Sequence, residues 1–358
     1  MRITCVIGTL GGGGAERMMT YLCEGLAARG HTVTLLTLDD SVPDFYTLPA
    51  SVTRARVQLP TFRAAGLLGG GPRLLKLTRA LKATRPQVVI SFMTVSVLAA
   101  CLLLRIPYIY GDHLDVRHLT YSRKWEILRN ILLRFASMVT VLSERDLQFL
   151  HVHHPHWRAQ VVYNPALVPA EKDYPRPAFM QADKKYVLAV GRLTSQKGFD
   201  RLLCAWQQAR LPGWRLAIIG GGEDEQALKT QAKQLAVLDS VDFVPPQKEV
   251  FSAYAHAQVF AMSSRAEGFP LVLLEAMAHG LPAVSFTCTG PDVIIRNGTD
   301  GVLVKQDDVP ALARALQELM QDETKRQQLA TRAREVITRF SLKHYLDKYE
   351  ELCQRALR

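Results

Sequence analysis

The chain reads as an α/β protein built from two Rossmann-like domains, each a doubly wound parallel sheet. Three observations predict this. Short apolar runs alternate with amphipathic segments along the whole 358-residue chain. The runs are apolar throughout rather than at every second position, as strands buried on both faces require. The alternation also occurs twice, on either side of a proline-rich stretch. Apolar residues make up 48% of the chain, and its length exceeds what one ordinary core accommodates.

In the first half the strand-like runs are RITCVIG, HTVTLLTL, PQVVISF, IPYIYGD and SMVTVLS. In the second they are KYVLAVG, WRLAIIG, SVDFVP, AQVFAMS, LPAVSF and DGVLV. Segments such as AERMMTYLCEGLAARG and DEQALKTQAKQLAV carry apolar residues at helical spacing, the first closed by Gly30. NPALVPAEKDYPRPAF holds Pro165, Pro169, Pro175 and Pro177 without periodicity and marks the boundary. The expected organisation is a first domain over 1–165, a linker over 166–182, a second domain over 183–340 and a C-terminal helix over 341–358, with Ser341 as its N-cap. The stretch from Val309 to Phe340 reads as one helical segment before it.

The start, MRITCVIGTLGGGG, lacks the basic opening, long apolar core and cleavage site of a secretory signal and reads as a first strand. Val88 to Leu104, interrupted by Ser91, Thr94 and Ser96, reads as a strand followed by a buried helix rather than a membrane span. Six cysteines are scattered without a CxxC pair, which argues against a disulfide framework or zinc site and fits a reducing cytoplasm.

The net charge of +11 is concentrated: residues 63–134 hold 12 Lys and Arg against 3 Asp and Glu. In PRLLKLTRALKATRP (72–86), Leu74, Leu77 and Leu81 share one helical face while Arg73, Lys76, Arg79 and Lys82 spread over the other. SRKWEILRNILLRF (122–135) joins Arg123, Lys124, Arg129 and Arg134 with Trp125, Ile127 and Leu128. Such helices point to an anionic membrane surface, and clustered cations suit a polyprenyl diphosphate; the plainer reading is two packed helices with solvated basic faces. No nucleic acid is expected, for no binding motif or aromatic platform accompanies the cations. HVHHPHW (151–157) reads as a surface loop from His153 onward, since no acid or cysteine completes a metal-ligand set.

Ligands of open α/β sheets bind beyond the carboxyl ends of the strands. Four loops there carry chemistry. TLGGGGAER (9–17) offers Gly13 and Gly14 at a helix start, where backbone N–H groups can approach a phosphate. It is not a dinucleotide fingerprint, because Glu16 stands where the third glycine belongs, and Asp39 and Asp40 then read as an acidic turn rather than a ribose ligand. In VGRLTSQKGFD (190–200), Arg192 and Lys197 are spaced to converge on one anion, or are two solvated cations. GGGEDEQAL (220–228) has glycines that can receive a flat base and acids that repel phosphate. In RAEGFPLVLLEAMAHG (265–280) a helix is expected from 270 to 279, with Pro270 as its first residue, and the N–H groups around Gly268, Phe269, Leu271 and Val272 form an anion site between Glu267 and Glu275. A nucleotide sugar fits all three elements; alternatively Glu275 is a surface glutamate and Glu267 a capping acid.

Taken in order, GGGGAER, GDHLD (111–115), VVYNP (161–165), GRLTSQKG (191–198), EGFPLVLLE (267–275) and GPDVIIRNGTDGVLV (290–304) resemble the family 4 retaining glycosyltransferases of GT-B fold across nearly the whole chain. The pattern is most similar to bacterial enzymes that extend undecaprenyl-diphosphate-linked oligosaccharides, N-acetylgalactosaminyltransferases among them. The resemblance implies two domains facing a cleft, with a C-terminal helix that can return to the first. It implies that Arg192 and Lys197 hold the donor diphosphate, Glu275 the ribose, and Glu267 with the backbone of Gly268 to Leu271 the transferred sugar. The base would rest near Gly220, Gly221 and Val244, although Pro245 stands where relatives carry glycine and removes an N–H donor. His113 matches a histidine directed at the sugar.

The resemblance further implies a UDP-sugar donor, a polyprenyl-diphosphate-linked acceptor held by Arg73, Lys76, Arg79 and Lys82, and a peripheral position on the cytoplasmic face of the inner membrane. No metal and no cofactor are expected; the chain has no Asp-x-Asp pair of the kind that binds a divalent ion in GT-A enzymes. A nucleotide-sugar epimerase and a non-catalytic nucleotide-sugar-binding module are the readings from other classes.

Overall fold

The computed structural model describes residues 1–59, 70–113, 123–167, 173–247 and 250–358. Leu114 and Asp115 of GDHLD, residues 168–172 of the expected linker, and the side chains of Arg123, Lys124 and Trp125 lie outside the described residues. The chain forms two compact units, residues 1–164 with 343–358, and residues 165–342. The second unit thus begins at Pro165 and takes in the stretch read as a linker.

The first unit is a seven-stranded parallel sheet of order β3-β2-β1-β4-β5-β6-β7, with β1 (Arg2–Ile7), β2 (Thr32–Thr37), β3 (Val52–Arg56), β4 (Val88–Phe92), β5 (Tyr108–Gly111), β6 (Met138–Val141) and β7 (Ala159–Val161). Its crossovers are α1 (Gly14–Ala28), α2 (Gly70–Thr84), α3 (Val95–Leu104), α4 (Arg123–Leu133) and α5 (Glu144–His153). Cys5 of β1 pairs with Leu35 on one side and Ile90 on the other, so β1 is covered on both edges and both faces, and its apolar run follows from that position.

The second unit is a six-stranded parallel sheet of order β10-β9-β8-β11-β12-β13, with β8 (Lys185–Val190), β9 (Trp214–Ile219), β10 (Val241–Val244), β11 (Val259–Met262), β12 (Ala283–Phe286) and β13 (Gly301–Val304). Its helices are α6 (Phe199–Ala209), α7 (Glu225–Gln234), α8 (Phe251–His256), α9 (Leu271–Ala278), α10 (Thr289–Ile294), α11 (Val309–Gln321), α12 (Glu323–Ala333) and α13 (Val336–Arg339). Trp206 of α6 is fully buried in its core, and its indole N–H donates to Ser240 Oγ at 3.0 Å.

The last helix, α14 (Leu342–Ala356), belongs from Lys343 onward to the first unit. Tyr345, Tyr349, Leu352 and Cys353 bury its apolar stripe, and Gly25 of α1 leaves room for Leu346, which a Cβ there would strike. On the rim, Arg29 bonds Glu350 at 2.9 Å and Asp347 at 2.7 Å, and His31 Nε2 meets Glu350 at 2.9 Å.

Several sequence expectations need correction. β3 and β7 were not anticipated: both are edge strands, half exposed, so VTRAR and AQV lack the apolar run of a central strand. The helical stretch after Val309 is three helices, broken where the Asp322 side chain accepts from the Lys325 N–H and caps α12. Pro270 is the extended N-cap of α9 rather than its first helical residue. His151 and His153 belong to the last turn of α5, so the loop begins only at His154. Arg129 does not join a basic surface. It is buried, ion-paired with Asp112, and its guanidinium lies 5.3 Å from the Trp157 ring centre. No helix among the described residues is long and apolar enough to cross a membrane; Val88 to Leu104 is β4 followed by α3.

Candidate functional site

In both sheets the strand order reverses at the middle, between β1 and β4 and between β8 and β11. Crevices open at such switch points. In the second unit the loops following β8 and β11 lie side by side there and are bound to each other. The Arg265 N–H donates to Gln196 O at 2.8 Å, Gln196 Nε2 to Ala266 O at 2.9 Å, and Ser263 Oγ to the Lys197 carbonyl at 3.1 Å. Arg265 also grips Asp200 through both carboxylate oxygens, at 2.9 and 2.6 Å. Gly198, at φ +64, passes so close to Ser263 O that a Cβ would collide with it.

This frame carries the residues read from the sequence. Lys197 Nζ donates to Glu267 Oε1 at 2.5 Å, and Ser264 Oγ donates to the same oxygen at 2.7 Å. Both groups converge on Oε1, and all three side chains are largely buried. Glu267 is therefore an oriented carboxylate rather than a capping acid: its own N-cap position is taken by Pro270. The Lys197 ammonium has three donors, so its bond to Glu267 leaves capacity for an anion. The Arg192 side chain is exposed and makes no ion pair among the described residues.

Glu275 lies one turn inside α9 and is buried, with Tyr254 donating to its Oε2 at 3.3 Å. It is not the surface helix glutamate of the plainer reading. Ahead of it, the N–H groups of Gly268, Leu271 and Val272 have no backbone acceptor among the described residues, while Gly290 donates to Glu267 O at 3.0 Å and packs against Pro270 and Gly268. The arrangement is an N-terminal helix end with a cation and two carboxylates around it, suited to an anionic ligand bearing hydroxyl groups. Cys288 stands beside this group. Burial first, and the Glu267 carboxylate second, push its thiol up to about 12, so it remains a thiol rather than a nucleophile.

Gly220 follows β9, Val244 ends the neighbouring β10, and the Gly220 N–H donates to Val244 O at 2.9 Å, so these two residues come together with Gly221. The reason for the glycines differs from the sequence reading. A Cβ on Gly220 would strike Gly191 O and one on Gly222 would strike Leu193 O: they accommodate the protein's own backbone. Only Gly221 turns elsewhere, toward Pro246.

In the first unit, Asp112 and His113 follow β5. The Asp112 N–H donates to Thr140 O at 2.9 Å and its carboxylate pairs with Arg129. The His113 ring lies 3.9 Å from the Phe92 ring centre, and both cross close over Gly111, where a Cβ would be 2.6 Å from Phe92. Burial lowers the His113 pKa to about 3, so the imidazole is neutral at physiological pH. Gly13 caps α1, but the Glu16 carboxylate folds back over it and occupies the helix end offered by Gly13 and Gly14. On α2, Lys76, Arg79 and Lys82 are exposed, Lys76 reaching Gln58 O at 2.9 Å; Arg73 is half-buried near Asp39. Among the described residues, no group of three or more His, Cys, Asp or Glu could hold a metal ion.

Sequence reading missed Ser264, Tyr254, and the Arg265–Asp200 brace. Ser264 had a signal, since Ser-x-x-Glu is a spacing at which a hydroxyl and a carboxylate meet across a turn. Tyr254 and Asp200 had none, being brought in from separate helices.

Two family descriptions match the chain: Glycosyltransferase Family 4 over residues 12–166 and Glycosyl transferases group 1 over residues 171–336. Among curated proteins, the chain is 32% identical over 331 residues to the amylovoran biosynthesis glycosyltransferase AmsD of Erwinia amylovora, covering 90% of each. It is 26% identical over 363 residues to a Campylobacter jejuni α-1,4-N-acetyl-D-galactosaminyltransferase named for a diNAcBac-PP-undecaprenol-linked saccharide, covering 98% of each. Among solved structures, sucrose-phosphate synthase of Thermosynechococcus elongatus matches with a TM-score of 0.80 at 22% identity, covering 99% of each chain. Anabaena HepE in complex with UDP and glucose matches at 0.78 and 20%, covering 98% of each. Two parallel-sheet Rossmann-like domains, a helix-end site between two buried carboxylates and these likenesses together show that the chain belongs to the GT-B glycosyltransferases.

Proposed function

We propose that the protein is a retaining, metal-independent glycosyltransferase of family 4 that moves a hexose or N-acetylhexosamine from a UDP-sugar to a sugar hydroxyl of a polyprenyl-diphosphate-linked oligosaccharide. The observation that carries the donor half is the convergence of Lys197 and Ser264 on one oxygen of Glu267 beside the open end of α9. With Oε1 occupied, Oε2 is the oxygen through which Glu267 accepts from sugar hydroxyls. The diphosphate takes the N–H groups of Leu271 and Val272, the remaining Lys197 donors and Arg192. Glu275, steadied by Tyr254, accepts from the ribose hydroxyls, and the base lies by Gly220, Gly221 and Val244.

In the transfer step the bond from the anomeric carbon to the phosphate oxygen breaks and the acceptor oxygen bonds to that carbon from the same face. The acceptor proton passes to the leaving phosphate. Negative charge grows on that phosphate, and Lys197, Arg192 and the end of α9 stabilise it, a role a divalent ion fills elsewhere. Glu267 is not assigned as a covalent nucleophile, because the family resemblance gives it the sugar hydroxyls, which its Oε2 can accept from. In the first unit, neutral His113 and the turn at Gly13 and Gly14 are the groups assigned to sugar and phosphate recognition.

The acceptor half is supported by the Campylobacter relative's lipid-diphosphate saccharide and by the exposed Lys76, Arg79 and Lys82, with Arg73 beside them. The reaction proposed here runs on the cytoplasmic face of the inner membrane. A panel of UDP-, GDP- and ADP-sugars, assayed with EDTA and with Glu275→Ala as control, tests the donor. A synthetic polyprenyl-diphosphate saccharide against a free sugar tests the acceptor. Equal transfer to both would remove the lipid-linked reading.

A further inference from the structure

Helix α4 carries its apolar side chains on both faces. Inward, Leu132 and Leu133 enter the core and Arg129 is locked to Asp112. Outward, Ile127 is 54% exposed, Leu128 43%, Ile131 54%, and Phe135, just past the helix end, 59%. Ile127, Ile131 and Phe135 fall four residues apart and form one stripe along the outer face. The neighbouring α3 packs against α4, and there Leu103 is 65% exposed. Large aliphatic and aromatic side chains grouped in this way on one face mark an interaction surface.

The surroundings choose the occupant. Exposed Arg134 borders the stripe, exposed Arg105 follows Leu103, and α2, which packs on α3, exposes Lys76, Arg79 and Lys82. Glu126 is the one acid in α2, α3 and α4. A protein partner would be met by mixed charges. An apolar stripe rimmed by cations, with Glu126 the single acid against them, matches the acyl chains and anionic headgroups of a phospholipid leaflet.

We infer that the outer face of α3 and α4 is a lipid-inserting surface, with Ile127, Ile131 and Phe135 of α4 and Leu103 of α3 entering an anionic leaflet. The inference deepens the membrane part of the function proposed above and rests on it. Because Arg129 and the buried leucines hold α4 to the sheet, the helix inserts its side chains while staying packed, unlike an anchor that folds on contact.

The test is flotation of the full chain with phosphatidylglycerol-containing vesicles and with pure phosphatidylcholine. The vesicles lack any saccharide acceptor, so binding is read apart from glycosyl transfer, and donor hydrolysis measured in parallel reports on the donor site. The wild type floats with the anionic vesicles. Ile127→Ser/Ile131→Ser/Phe135→Ser loses at least about tenfold in partitioning, with donor hydrolysis unchanged. A triple variant that floats like the wild type, or a wild type that floats with neither vesicle, overturns the inference. So does a wild-type dimer that the triple variant converts to a monomer, which would make the stripe a contact between two copies. Phe135→Trp keeps the test open if the triple variant misfolds: its added emission shifts to the blue on anionic vesicles, and no shift contradicts insertion.

Discussion

Both units place a glycine-bearing turn after a central strand, and the two turns do different things. After β8 and β9 the glycines admit the protein's own backbone: Gly220 sits against Gly191 O and Gly222 against Leu193 O. After β1, Gly8 has nothing within 4 Å, and Gly13 is covered only by the movable Glu16 side chain. In the second unit the loops are thereby braced against each other, and ligand chemistry falls to side chains and a helix end. In the first, the glycines meet side chains rather than backbone: Gly11 those of Thr9 and Val42, Gly12 the Phe45 ring and Gly13 the Glu16 carboxylate. A run of glycines thus reports close approach, and whether by ligand or by backbone is a matter of which strand lies alongside.

The comparison can be broken most strongly at the braced site. Lys197→Ala is expected to lower kcat/KM for sugar transfer by about 10² to 10³, the usual cost of removing a donor to a developing negative charge. Steady-state kinetics checks it, and a loss below tenfold would place the diphosphate elsewhere. Next in size, Gly220→Ala should destabilise the second unit by about 2–3 kcal/mol, since backbone rather than a flexible side chain must yield, while Gly8→Ala stays within about 0.5 kcal/mol. Denaturant unfolding of the two variants compares the turns directly. Equal effects would mean that both turns are packed alike. A smaller effect belongs to Ser264→Ala, which removes one of two donors on Glu267 Oε1 and is expected to cost about tenfold in kcat/KM with little change in donor affinity.

The smallest effect is a pH dependence in the first unit. Burial holds the folded-state His113 near 3 against an ordinary value of 6.5, so between those values the unfolded chain binds the extra proton. This contribution to stability is complete above pH 6.5 and is lost as pH falls toward 3. Its slope is well under about 1.4 kcal/mol per pH unit, because the ring keeps some access to water. His113→Asn should flatten that part of the stability profile, read by denaturant melts from pH 4 to about 7; an unchanged profile would mean that the imidazole is solvated.

Strands buried on both faces were legible from the sequence, since apolar residues predominate there with only an occasional serine or threonine; the edge strands β3 and β7 were not, because one open edge relaxes that demand. The residues of the proposed donor site could be named because each sits in a local pattern: Lys197 after a strand, Glu267 before a proline-capped helix, Glu275 five residues before Gly280. What local patterns cannot carry is a partner from another element. Arg129 read as one more surface cation because Asp112 lies 17 residues away, just past the end of β5, and Tyr254 reaches Glu275 from a separate helix.

The most direct test of the proposed donor site is the anomeric configuration of the product formed in EDTA from a UDP-sugar and a polyprenyl-diphosphate saccharide, followed by proton NMR. The account predicts transfer without a divalent ion and with the donor's anomeric configuration kept. Transfer that stops in EDTA, or a product of inverted configuration, would contradict a site in which Lys197, Arg192 and the end of α9 carry the leaving phosphate.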